Sequence, residues 1–188
     1  KCKYLFVSKN FRFGFKRQGN IKTLKKFEKK YKFTNIITNP FKKNNKIISS
    51  TFIRNKIRSG NILMVNELLN RNWSIIGKVI KGERRGRKIG FPTCNLKLNE
   101  YVIPRLGVYA VKVKSNNFSK NGIANVGYRP TFKGQNLLLE TNIFGINKNL
   151  YNKVININFK RFIRPEKKFR NLRYLKKQIK LDIKQAKK

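Results

Sequence analysis

Three short stretches of this 188-residue chain carry side chains suited to chemistry. In "GKVIKGERRGRKIGFPTCNL", a strand-like run gives way at Gly82 to a basic loop punctuated by Gly86 and Gly90, and resumes after Phe91 and Pro92. Glycines let successive backbone N–H groups turn inward as a nest for phosphate oxygens. Lys81, Arg84, Arg85, Arg87 and Lys88 surround that nest with positive charge. Thr93 and Asn95, two apart on a strand, share one face. Their hydroxyl and amide oxygens are hard, neutral ligands suited to a Mg2+ already shared with nucleotide phosphates. The same residues also suit a plain basic hairpin whose second strand begins at an X-Pro step.

The second stretch, "NLLLETNIF", sets Glu140 among leucines, one of only seven carboxylates in the chain. A charge in an apolar strand is costly unless it meets a partner or faces a polar cleft. A salt bridge to one of 47 Lys and Arg would satisfy it. So would service as a general base, for which Glu is the plausible choice in a chain without His. The third stretch, "ANVGYRPTF" at 124–132, is a Gly/Pro turn that could line a pocket.

Composition narrows the classes further. With no His and only Cys2 and Cys94, the chain has no Ser–His triad, disulfide framework or zinc-finger spacing. The formal charge of +40 suggests polyanion binding. However, 18 basic and 2 acidic residues precede residue 70 while 29 and 5 follow, so no basic tail is set against a neutral domain. Abundant Lys, Asn, Ile and Phe also match the products of A/T-rich codons, and non-specific attraction to RNA follows from the charge under either origin. No apolar run approaches the ~20 residues of a membrane span, and we expect a cytoplasmic protein. The chain starts at Lys1 and runs straight into "YLFV", from which we expect an upstream portion.

The elements that must hold these residues change pattern near residue 70. Before it, "KYLFV", "IKTLKKFEKKY", "FTNIITN" and "ISSTFIRNKIRSG" alternate strand and helix, with Ile21, Leu24, Phe27 and Tyr31 at helical spacing. This suggests the tail of a parallel α/β sheet. After it, six short strand patterns separated by Gly, Asn or Pro suggest an antiparallel barrel or sandwich. Leu172, Leu175, Ile179 and Ile183 then give a closing amphipathic helix. We divide the chain into residues 1–69 and 70–188.

Taken together, these motifs resemble riboflavin kinase, specifically the kinase half of bacterial bifunctional riboflavin kinase/FAD synthetases. The family's G-x-x-x-G-R-x-x-G-[FI]-P-T-x-N is met by Gly82, Gly86, Arg87, Gly90, Phe91, Pro92, Thr93 and Asn95. Its G-V-Y-A strand falls at 107–110, its N-[IV]-G-x-R-P-T-F at 125–132, and its catalytic glutamate at Glu140. Its D-L-Y-G-K turn appears as "NLYNK" and its ending as "EKKFRNLRYLKKQIKLDI". Gly145, Asn149 and Pro165 stand where the family usually has Asp. Residues 1–69 resemble the end of the FAD synthetase (nucleotidyltransferase) half, with "ISSTFIR" supplying Ser49, Ser50, Thr51 and Arg54 as a vestigial motif. The H-x-G-H motif of that half has no counterpart, which weighs against adenylyl transfer.

The resemblance implies an α+β chain: a C-terminal antiparallel Greek-key β-barrel with a C-terminal helix, preceded by a partial α/β nucleotidyltransferase segment. It implies transfer of the ATP γ-phosphate to the 5′-hydroxyl of riboflavin, giving FMN. The 82–90 loop and Pro92 would bind ATP phosphates, Thr93 and Asn95 would hold Mg2+, and Glu140 would act as base. Phe91, Arg164 and Phe169 would contact flavin. The alternatives are a catalytically decayed flavin- or nucleotide-binding relative and a basic RNA-associated protein.

Overall fold

The computed structural model describes residues 2–43, 46–98, 100–131 and 134–188. The chain divides into two compact units, Lys1–Ser50 and Thr51–Lys188. In the first, β1 (Tyr4–Ser8) and β2 (Thr34–Thr38) pair in parallel, with α1 (Ile21–Tyr31) as the crossover that parallel pairing requires. Asn20 caps α1 by accepting from the N–H groups of Lys22 and Thr23. Leu24 is buried beneath α1, whereas Phe27 and Tyr31 of the expected apolar stripe are exposed, because two strands cover only part of a helix face. β3 (Lys42–Lys43) and β4 (Lys46–Ile47) form a small antiparallel ladder.

The second unit is built on six antiparallel strands: β5 (Ser74–Lys78), β6 (Cys94–Lys97), β7 (Gly107–Ser115), β8 (Phe118–Thr131), β9 (Gly134–Ile143) and β10 (Val154–Arg164). Their spatial order is β5-β10-β7-β8-β9-β6. Three hairpin-connected strands with the fourth returning beside the first make the β10-β7-β8-β9 set a Greek key. The edges nearly close into a barrel, since the Ile80 N–H just beyond β5 donates to the Asn95 carbonyl of β6 at 2.9 Å.

Two helices, α2 (Ser50–Arg58) and α3 (Ile62–Leu69), precede the barrel, and Ile57, Ile62 and Val65 join its core. Asn66 ties α3 in place by donating to the Phe159 carbonyl at 2.9 Å and accepting from the Trp73 N–H at 2.7 Å. Phe159, fully buried, meets the rings of Trp73 at 4.8 Å and Tyr109 at 5.1 Å between centroids. Removing that ring leaves a void no neighbour can fill. We expect Phe159→Ala to cost about 3–5 kcal/mol, read as a lower urea midpoint at unchanged slope.

Which face each residue takes follows from register. Cross-strand partners lie on one side of a sheet. Cys94, Thr141, Ala124 and Tyr109 form a row into the core, and the adjacent row of Asn95, Glu140, Asn125, Val108 and Arg164 faces the other way. Register shifts in β10 between Phe159/Arg161 and Phe162/Arg164 let Phe159 and Phe162 both pack with the core. The same shifts turn Arg161 and Arg164 outward, an aiming role typical of bulges. On that outer face lies α5 (Leu172–Lys187), packed on β7, β8 and β10 and capped by Asn171, which accepts from the Tyr174 N–H. Leu175, Ile179 and Ile183 turn inward as expected. Leu172, in the first turn, is 60% exposed instead, because it stands at the mouth of a cleft.

Candidate active site

The cleft lies on the outer face of the barrel and has a volume of about 860 Å³. The turn after β5, the start of β6, the middle of β9 and α5 all contribute to its wall. Of the residues singled out in the sequence, Gly82, Gly86, Arg87, Phe91, Pro92, Thr93, Asn95, Glu140, Arg164 and Phe169 line it. Gly90 does not; it is exposed and ends the loop with φ near 91°. Ser49, Ser50, Thr51 and Arg54 are exposed around the start of α2, and Thr51 and Arg54 are not among the residues that line the cleft. Phe132, the last residue of the third motif, lies outside the described residues.

Loop 82–90 contains a single helical turn, α4 (Arg85–Lys88). The N–H groups of Arg87, Lys88, Ile89, Gly90 and Phe91 all donate to carbonyls within this turn. The nest expected across the whole loop is therefore narrowed: those five donors are spent, leaving the N–H groups before Arg87 and the cationic side chains. Gly86 is needed for close approach, since a Cβ there would meet the Phe91 carbonyl oxygen at 2.4 Å. Gly82 serves Asn95 similarly; a Cβ would fall 1.9 Å from its Nδ2. Arg84 rests on Tyr151, with Nε donating to the hydroxyl at 3.4 Å, and Arg85 pairs with Glu83.

Beyond Pro92, Asn142 of β9 donates to the Pro92 carbonyl at 2.7 Å, fixing the chain where Thr93 and Asn95 follow. Thr93 is exposed on the cleft, while Asn95 is buried with its Oδ1 lacking a hydrogen-bond partner. A buried amide oxygen left unpaired is unusual; a hard cation would satisfy it, so the residues present fit a divalent ion. No cluster of three His, Cys, Asp or Glu exists among the described residues. Such an ion would therefore rest on these neutral oxygens together with ligand phosphates. Cys94 between them takes no part: burial pushes its thiol up to about 12, keeping it protonated and inert.

Glu140 is half-buried and stands directly opposite Asn95 on β6 and Asn125 on β8. Asn125 in turn donates to Glu166 at 3.0 Å across the cleft rim. At the far wall Arg164 is bound in a fork by Asp182 of α5, which also accepts from Gln178. Asn125, Asn142, Glu166, Gln178 and Asp182 were not singled out as site residues from sequence. The available signal was Asp182, an acid at i+3 from Ile179 on an otherwise apolar helix stripe.

The riboflavin kinase family model matches residues 69–188, nearly two thirds of the chain and all of the cleft. The chain belongs to the riboflavin kinase family. A second model, FAD synthetase, matches residues 1–52. The bifunctional riboflavin kinase/FMN adenylyltransferase of Buchnera aphidicola from Acyrthosiphon pisum is 43% identical over 184 residues, covering 96% of this chain and 59% of that protein. The Haemophilus influenzae protein of the same name is 39% identical over 186 residues, covering 98% and 60%. A crystal structure described as a macrolide-efflux protein from Streptococcus pneumoniae shares the fold, with TM-score 0.82 and 31% identity over 96% of this chain and 58% of that one. The chain thus spans about three fifths of the length of the curated relatives it matches. Among the described residues no helix is long and apolar enough to cross a membrane.

Proposed function

We propose that this chain is a cytoplasmic riboflavin kinase, transferring the γ-phosphoryl group of ATP to the 5′-hydroxyl of riboflavin to give FMN and ADP. The observation that carries the reading is the juxtaposition of Glu140 and Asn95. Glu140, the one mid-strand carboxylate among the described residues, stands opposite a buried, unpartnered amide oxygen, on the wall of a cleft that a cationic glycine turn also lines. Positioning and charge neutralisation supply most of the catalysis in such a transfer. Arg84, Arg85, Arg87 and Lys88 draw the triphosphate to the turn, while Gly82 and Gly86 let the chain come close. Thr93 and Asn95 would hold Mg2+, which when bound neutralises phosphoryl charge. Glu140 orients the ribityl 5′-hydroxyl and takes its proton as the new O–P bond forms and the β–γ bridge breaks. Phe91 and Phe169 offer apolar faces to the flavin ring.

Residues 70–188 are proposed as the kinase module and residues 1–69 as the end of an FAD synthetase module, with Ser49, Ser50, Thr51 and Arg54 as its remnant. Chromatography of riboflavin, FMN and ADP after incubation with MgATP tests the activity: FMN and ADP are expected to appear in equal amounts. Riboflavin binding without FMN would favour a decayed, binding-only relative instead. RNA affinity that falls steeply with salt is expected from the +40 charge under any reading; only affinity selective for RNA sequence or structure would favour an RNA-associated role.

A further inference from the structure

We infer that Asp182 is a positioning residue that converts Arg164 from a phosphate-attracting cation into a neutralised, oriented face for an uncharged planar ring. The inference rests on the proposed riboflavin kinase activity and names how the ring end of the same cleft is kept distinct from its phosphate end.

Asp182 is 1% exposed, on the inward face of α5. Its Oδ1 accepts from Arg164 Nε at 2.9 Å and from Gln178 Nε2 at 2.9 Å, and its Oδ2 accepts from Arg164 Nη2 at 2.7 Å. Arg164 Nη1 donates to the Pro165 carbonyl at 2.9 Å. All three guanidinium nitrogens are therefore engaged, and the planar fork leaves little freedom for the group to turn. One N–H on each Nη stays free, but the plane is fixed, and its central carbon lies over the Phe169 ring at 5.8 Å from the ring centre.

A buried ion pair contributes little net stability compared with a well-packed apolar pair, so its use here points to geometry and charge. The opposite end of the cleft carries Lys81, Arg84, Arg85 and Arg87, a natural seat for phosphates. An unpaired Arg164 would offer a competing phosphate seat at the aromatic end. Asp182 cancels that charge and holds Arg164 against Phe169, leaving the aromatic end selective for a neutral ring.

The test uses the full chain and two variants, Asp182→Asn and Arg164→Lys, with riboflavin binding followed through its own fluorescence and turnover followed through FMN. Asp182→Asn is expected to weaken riboflavin binding about tenfold with the ATP KM unchanged. It is also expected to make inorganic tripolyphosphate a competitor of riboflavin, which it is not for the parent chain. Arg164→Lys, which keeps the charge and its Asp182 counter-ion but loses the fork, is expected to weaken riboflavin binding without making tripolyphosphate a competitor, and serves alone should Asp182→Asn fail to fold. The inference is overturned if the variants bind riboflavin as the parent does, or if tripolyphosphate competes equally in all three. A proportional rise in both KM values, marking a merely structural role, also overturns it. If the parent chain neither binds nor phosphorylates riboflavin, the functional reading fails and this inference falls with it.

Discussion

Exchange of Glu140 for glutamine is expected to lower kcat for FMN formation by about 10²–10⁴-fold, the range typical for loss of a positioned proton acceptor. The riboflavin KM should stay within a few-fold, because the amide keeps the size and most of the polarity of the carboxylate. The fold should survive as well: Glu140 is half-buried in the middle of β9, and its neighbours Asn95 and Asn125 can hydrogen-bond an amide as readily as an acid. Steady-state kinetics with a matched thermal melt separates the two effects. A variant that melts like the parent and turns over at the parental rate would show that the proton leaves by another route.

Gly86→Ala is expected to act through geometry alone. The added methyl would press on the Phe91 carbonyl oxygen, whose chain is pinned on the other side by the Phe91 N–H donating back to the Gly86 carbonyl at 2.8 Å. The same methyl would also crowd the Thr93 hydroxyl at 3.3 Å. Something in the 86–93 turn must move, and displacements of about an ångström at a reacting centre can cost roughly 10²-fold in rate. We therefore expect kcat/KM for ATP to fall by about that factor, with riboflavin affinity and global stability little changed because the turn sits at the cleft rim. Riboflavin fluorescence titration beside ATP-dependent kinetics reads both quantities. Parental kinetics in this variant would mean that the turn adapts freely and does not position the nucleotide.

Local pattern made much of this architecture legible. The alternation in "GVYAVKVKS" and "KVININFKRFI" marked β7 and β10, and the parallel β1–α1–β2 unit followed from the strand–helix–strand order before residue 40. The Gly, Pro, Thr and Asn of 82–95 read as a possible phosphate turn because those types have few other uses at such density. What stayed hidden depends on register. Asn125 looks like one more loop residue until β8 sets it beside Glu140, and nothing local says that Asn142 holds Pro92. The shifts in β10 that send Arg164 outward toward Asp182 break the period of two on which strand reading relies. α4 was missed because one turn rich in Arg and Gly has no apolar stripe. Leu172 misled for the opposite reason: its spacing fits the stripe, but the cleft opens beneath the first turn of α5.

The central claim is that this cleft moves a phosphoryl group from ATP to a flavin hydroxyl. Incubation of the purified chain with riboflavin and ATP labelled in its γ-phosphate tests this most directly. The account predicts that label enters a flavin product that co-elutes with FMN, in proportion to ADP formed, and that Glu140→Gln all but abolishes the transfer. Label appearing only as inorganic phosphate, or no label leaving ATP while riboflavin is bound, would contradict it.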